Sequence, residues 1–177
     1  SGVMPKRAVS IVRGEGARVW DEQGREYIDC MAGHGVAIVG HCNPAVVQAI
    51  REQAGRLITC PETVYNDVRA RLLERLVSLA PQGLNRVFLC NSGTEAVEAA
   101  LKLARLSTGR TNVVAAMRGF HGRTMGALSA TWEKKYREPY LPLLPGFSHV
   151  PYNKLDPLRE AVDENTGAVL LEVVQGE

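Results

Sequence analysis

The sequence predicts an α/β fold, and three apolar runs carry that prediction: Val87–Cys90, Asn112–Met117 and Ala168–Val174. Each ends in a polar cluster. Between the first two lies a segment rich in Ala and Leu, from about Ser92 to Arg105, with the composition of a helix. Apolar strands alternating with helices are the pattern of a sheet covered by helical layers. In open sheets of this kind, ligands bind outside the carboxyl ends of the strands, where the three polar clusters would gather.

Residues 1–43 read as a β-rich opening segment. Val9–Arg13 and Ala17–Trp20 are short strand candidates, and Asp21–Gly24 is a turn signal before a third candidate, Arg25–Cys30. Asn43-Pro44 announces a helix, with Asn as N-cap and Pro at its first position. Val46, Val47, Ile50, Ala54 and Leu57 share one face of it. A second helix spans about Asn66–Ala80, with Val68, Leu72, Leu73, Leu76, Val77 and Ala80 as its stripe and Pro81 and Gly83 as its stop. From Arg86 onward strands and helices alternate. Thr131–Pro151, rich in Pro, Tyr and charge, predicts a long surface loop; Asp156–Asp163 predicts a short helix and Ala168–Val174 a final strand. Residues 44–177 therefore form most of one α/β domain, and residues 1–43 contribute to a smaller lobe.

The bulk numbers exclude several classes. The chain has 177 residues, 45% hydrophobic and 23% charged, with a formal net charge of +2, ordinary for one soluble domain. That charge is scattered and makes no electrostatic case for nucleic acid or membrane. No apolar stretch approaches the roughly 20 residues of a membrane span. Cys30, Cys42, Cys60 and Cys90 are widely separated, without a CxxC, and read as reduced thiols of a cytoplasmic protein. The four histidines show no metal-ligand spacing, and no metal site is expected.

The chemistry concentrates at Asn91-Ser92-Gly93-Thr94-Glu95. A small turn opening a helix leaves backbone N–H groups unpaired with the helix dipole behind them, a natural phosphate site. Gly93 permits close approach, and the Ser92 and Thr94 hydroxyls are further donors. Ser92 and Glu95 also fit a capping box that satisfies only the helix start, and spacing alone leaves both readings open. The second cluster, Arg118–Thr124, brings an aromatic and arginines; the third, Gln175-Gly176-Glu177, brings a carboxylate. Together they suit a phosphorylated, aromatic ligand and an acidic substrate.

Asn91–Arg105, Gly119-Phe-His-Gly-Arg-Thr124 and Glu172-Val-Val-Gln-Gly-Glu177 resemble the signatures of class III aminotransferases, pyridoxal-phosphate enzymes of fold type I. Val12–Asp21 and Gly40–Pro44 extend the likeness along nearly the whole chain. It is nearest in look to acetylornithine aminotransferases and to relatives acting on lysine or ornithine held by an amino-group carrier protein. The resemblance implies the N-terminal part of such an enzyme: the start of a three-layer α/β/α large domain plus a β-rich segment of the small domain. It implies pyridoxal 5'-phosphate as cofactor, bound by Ser92, Gly93 and Thr94 with Phe120 stacked on its ring. Arg123 would bind a substrate carboxylate, its planar fork matching two oxygens. Glu177 would pair with an arginine outside this chain to gate between substrates. Glu172, ionisable within an apolar run, calls for a partner. His34 either shapes substrate choice or is a hydrogen-bonded loop residue, and His121 has no assigned role.

The family's Schiff-base lysine has no counterpart in the surroundings of Lys6, Lys102, Lys134, Lys135 or Lys154. In relatives it follows the Gln-Gly-Glu motif. The chain is thus expected to be the N-terminal portion of a longer, homodimeric enzyme, inactive by itself. The whole would move the terminal amino group of an N-blocked ornithine or lysine to 2-oxoglutarate in arginine or lysine biosynthesis. Ornithine or 4-aminobutyrate aminotransferase, glutamate-semialdehyde aminomutase and a non-catalytic phosphate-binding module are the alternatives.

Overall fold

The computed structural model describes residues 7–176, so Lys6 and Glu177 lie outside the described residues. The chain divides into two compact units that meet between Ser78 and Leu79.

The first unit opens with an antiparallel meander of β1 (Ile11–Glu15), β2 (Arg18–Asp21) and β3 (Glu26–Ile28), in the order β1-β2-β3. Its organising residue is Asp21, only 2% exposed. The Asp21 carboxylate accepts from the amides of Gln23 and Arg25, from Arg25 Nε at 2.7 Å and from the Tyr27 hydroxyl at 2.8 Å. One side chain thereby builds the predicted Asp21–Gly24 turn and ties it to β3. On the same sheet the Arg13 guanidinium lies 3.7 Å from the centre of the Trp20 ring, a cation–π contact.

After the meander, α1 (Ala32–Gly35) is a single left-handed turn, with φ of 61° at Gly33 and 58° at His34. Asp29 stabilises it by accepting from the amides of Met31 and Ala32, and its second oxygen meets His41 Nε2 at 2.6 Å. The helices follow as expected: α2 (Pro44–Ala54), whose N-cap Asn43 accepts from Ala45, and α3 (Asp67–Leu79).

In the second unit the core is β4 (Asn112–Ala116), flanked by β5 (Phe147–Val150) and β6 (Thr166–Leu170) in a parallel sheet ordered β5-β4-β6. Val113, Val114, Ala115 and Ala116 are each at most 1% exposed. A strand covered on both faces reads as an unbroken apolar run, which is why this one was legible. Around it pack α4 (Gly93–Thr108), which touches β6 and α5 (Met125–Ala130), and α7 (Leu155–Ala161), which touches β5. The β4-to-β5 and β5-to-β6 connections run in opposite directions across the sheet. With the right-handed crossovers that parallel strands almost always take, opposite directions call for α5 and α7 on opposite faces, as a three-layer arrangement requires.

Three expectations are corrected. Val87–Cys90 is not a strand: it has no ladder partner among the described residues, and Phe88 is 70% exposed. A strand is a pairing, and apolar content alone does not supply one. Thr131–Pro151 is not a single loop, because it contains α6 (Lys134–Arg137), a 3₁₀ turn at Glu138–Tyr140 and the edge strand β5. The final strand ends at Leu170 rather than Val174, so Glu172 stands beyond it, above the carboxyl end of the sheet.

Candidate active site

At the start of α4 the capping box forms, and it leaves donors over. The Ser92 hydroxyl oxygen accepts from Glu95 N at 3.3 Å, and the Glu95 carboxylate accepts from Asn91 N at 2.7 Å and from the Ser92 hydroxyl at 3.2 Å. The bond from the Asn91 amide leads in holding the Glu95 carboxyl below the usual carboxylate range. The N–H groups of Gly93 and Thr94 have no acceptor among the described residues. A methyl group built on Gly93 would meet nothing within 4 Å. Two free amides at the positive end of a 16-residue helix, bordered by open space, form an anion cradle.

The segment Met117–Thr124, leaving the carboxyl end of β4, folds against this cradle. Its backbone is held at almost every position. Gln175 Nε2 donates to Met117 O at 2.8 Å, Trp132 N to Gly119 O at 2.9 Å, and Phe120 N to Glu172 Oε2 at 3.2 Å. The Thr131 hydroxyl, fully buried, accepts from His121 N and shares its one hydrogen between Ala127 O at 3.1 Å and Gly122 O at 3.3 Å. At the far end the Thr94 and Thr124 hydroxyls meet at 2.8 Å. Gly122 has φ of 132°, and a Cβ there would lie 2.3 Å from Thr94 Oγ1, so only glycine lets the loop reach the helix. Backbone bonds at six of its eight residues hold this loop in place.

This loop displays two side chains. Phe120 is 37% exposed and meets the Tyr136 ring edge-on, with centroids 5.7 Å apart. Arg123 is exposed, and its guanidinium has no ion-pair or hydrogen-bond partner among the described residues. Beneath them His121 is 8% exposed with Nε2 unpartnered. Burial pushes its imidazole pKa down, and the nearby Glu172 carboxylate only partly offsets this.

The sequence matches the class-III aminotransferase family over residues 3–177. The chain belongs to the class-III aminotransferases. It is 56% identical over 169 residues to an acetylornithine aminotransferase of Methanopyrus kandleri, covering 96% of this chain and 43% of that protein. It is 58% identical over 179 residues to a LysW-aminoadipate semialdehyde transaminase of Deinococcus radiodurans, covering 100% and 42% respectively. Among solved structures, ornithine aminotransferase from Toxoplasma gondii superposes with a TM-score of 0.89 at 34% identity, over 99% of this chain and 43% of that one. Taurine:2-oxoglutarate aminotransferase from Bifidobacterium kashiwanohense, in complex with PLP and glutamate, superposes with a TM-score of 0.90 at 26% identity over 99% and 46%. The chain thus spans less than half the length of these relatives.

For a class-III aminotransferase the cofactor is pyridoxal 5'-phosphate, and the residues here fit it: free amides for the phosphate and a half-exposed aromatic on the adjoining loop. The structure gathers Ser92, Gly93, Thr94, Phe120 and Arg123 around one rim of the second unit, while Glu177 lies outside the described residues. Three residues that hold this arrangement carried no assigned role in the sequence reading: Glu98, Thr124 and Thr131. Their partners are distant in the chain, and each looks in sequence like an ordinary helix or loop residue. His34 belongs to the first unit, on the left-handed turn of α1.

Proposed function

We propose that this chain supplies the cofactor-phosphate cradle and part of the substrate site of a pyridoxal-phosphate aminotransferase. Its donor is an N-blocked ornithine or lysine, as acetylornithine or as lysine on an amino-group carrier protein, and 2-oxoglutarate is the acceptor. The observation that carries the reading is the pair of unpartnered amides at Gly93 and Thr94, beside a loop that displays Phe120 and Arg123. The relatives at 56% and 58% identity, named for acetylornithine and for LysW-aminoadipate semialdehyde, supply the substrate class. Arginine and lysine biosynthesis are the pathways this implies, and the intact protein is read as a cytoplasmic homodimer.

In this account the Gly93 and Thr94 amides bind the phosphate, with the Ser92 hydroxyl joining by turning from Glu95. Phe120 covers one face of the pyridine ring and excludes water there. When bound, the cofactor supplies the conjugated electron sink that lets a proton leave and return to carbon beside the reacting amine. Arg123 orients the substrate by pairing with its carboxylate, and Glu177 serves the exchange between donor and acceptor. The one described lysine on the cradle's own helix does not reach back to it. Lys102 is nine residues along α4 from Gly93, about 14 Å down the helix axis.

The test is borohydride reduction of the intact protein with pyridoxal phosphate, followed by intact mass and peptide mapping. One covalently retained cofactor per chain is expected, on none of Lys6, Lys102, Lys134, Lys135 or Lys154. An adduct on one of those lysines, or none at all, would count against the reading. Competition between acetylornithine and carrier-linked lysine in the same protein then assigns the donor.

A further inference from the structure

We infer that Glu98 is a positioning residue that locks the Arg123 loop onto the phosphate cradle, an inference that rests on the cofactor reading above. Glu98 projects from α4, little more than one turn beyond Gly93. Its Oε1 takes three donors from another element: the Thr124 hydroxyl at 2.5 Å, Gly126 N at 2.9 Å and Ala127 N at 3.1 Å. These are the orphan groups at the start of α5. Thr124 occupies the N-cap position there but makes no side-chain cap of its own. The cap comes instead from a carboxylate on the helix that carries the cradle.

That carboxylate also sets the direction of the next bond. Glu98 Oε1 already accepts from the Gly126 and Ala127 amides, and the Thr124 hydroxyl spends its hydrogen on the same oxygen. At the 2.8 Å contact between the two threonines, Thr94 must then be the donor. The order Thr94 to Thr124 to Glu98 commits the Thr94 hydroxyl inward and leaves its amide as the group facing the cradle. The weaker contact from Thr124 N to Thr94 Oγ1, at 3.4 Å, closes the link.

Two glycines mark the same junction independently. A Cβ on Gly126 would lie 2.4 Å from Glu98 Oε2, and one on Gly122 would lie 2.3 Å from Thr94 Oγ1. At Gly122, with φ of 132° and Thr94 Cβ also within 2.7 Å, no side chain is admitted, whereas a side chain at Gly126 would push the Glu98 carboxylate off its donors. Arg123 sits between them, with its neighbours on either side tethered and its guanidinium free. Glu98 touches neither the cradle amides nor Arg123's charged group, and it acts on both through this lattice.

The test compares Glu98→Ala and Glu98→Gln in the intact protein, titrated with pyridoxal phosphate and, separately, with pyridoxal. The ratio of the two dissociation constants reports the phosphate's own contribution. Loss of charge-assisted bonds should cut that ratio by about tenfold or more in Glu98→Ala and raise KM for 2-oxoglutarate more than it lowers kcat. Glu98→Gln, which keeps an acceptor oxygen, should stay within about threefold of the parent. If Glu98→Ala fails to fold, Thr124→Val is the milder variant, because it leaves Gly126 and Ala127 capped, and it too should lower the ratio. A lowered melting temperature with the ratio unchanged overturns the inference and leaves Glu98 as a structural cap. If the parent itself shows no preference for the phosphorylated ligand, the cofactor reading fails first, and this inference goes with it.

Discussion

Gly93→Ala separates the cradle from the fold, because the two respond with opposite signs. Gly93 is the first residue of α4, its φ is not in the left-handed region, and a Cβ there meets nothing within 4 Å. Alanine therefore introduces neither strain nor overlap. By removing conformational freedom from the unfolded chain it should stabilise the cofactor-free protein, by up to about 1 kcal/mol. The same methyl stands in the open space beside the Gly93 and Thr94 amides. If it holds a phosphate away from one of them, the loss is that of a hydrogen bond to a charged group, about 1.5–3 kcal/mol, or roughly ten- to more than a hundredfold in affinity. Urea denaturation of the cofactor-free protein and titration with pyridoxal phosphate and pyridoxal measure the two effects separately. Stability should hold or rise while pyridoxal phosphate binding weakens and pyridoxal binding does not. Unchanged affinity for the phosphorylated ligand, in a variant at least as stable as its parent, would refute the placement of the phosphate on these amides.

Gly122→Ala should do the reverse: overlap with Thr94 together with φ of 132° destabilises the second unit by about 2–5 kcal/mol, seen as a shift in the denaturation midpoint. Arg123→Ala should raise KM for 2-oxoglutarate at least about tenfold while leaving pyridoxal phosphate affinity intact, since Arg123 is exposed and holds no protein partner. Burial pushes the Asp21 carboxyl up, but bonds from Tyr27 and Arg25 with the Arg25 charge more than offset this and bring it from 3.8 to about 2. A depressed carboxylate contributes stability that is present above its unfolded pKa and is lost as pH falls through the folded one. The melting temperature of the parent should therefore fall between about pH 4 and pH 2 more steeply than that of Asp21→Asn. His121 and His149 are both pushed below 6.5, chiefly by burial. Their neutral forms favour the fold above that pH, and the protection of the α5 amides relative to their intrinsic exchange rates should fall as pH drops below it.

How far the sequence carried the account depends on whether a feature is local. The capping box at Ser92 and Glu95, the Asn43-Pro44 helix start and the doubly buried run of β4 each declare themselves within a few residues. β5 did not, because its four residues, Phe147–Val150, give too short a period to read. Val87–Cys90 erred the other way, since its composition suits a strand but pairing is decided elsewhere. The least legible parts are those that set the site's geometry. Glu98 looks like a solvent-facing helix charge until Thr124, Gly126 and Ala127, 26 to 29 residues away, are seen to converge on it. Thr131 is a residue of the predicted loop until its burial under Gly122 is known. Glu172 carried a signal, a charge in an apolar run, but its partner proved to be the Phe120 amide rather than a cation.

The most direct measurement is a crystal structure of the intact protein with pyridoxal phosphate. The account predicts phosphate oxygens within hydrogen-bonding distance, about 2.7–3.2 Å, of the Gly93 and Thr94 nitrogens, with the Phe120 ring against the pyridine. A phosphate bound elsewhere, with those two amides still facing solvent, would contradict it.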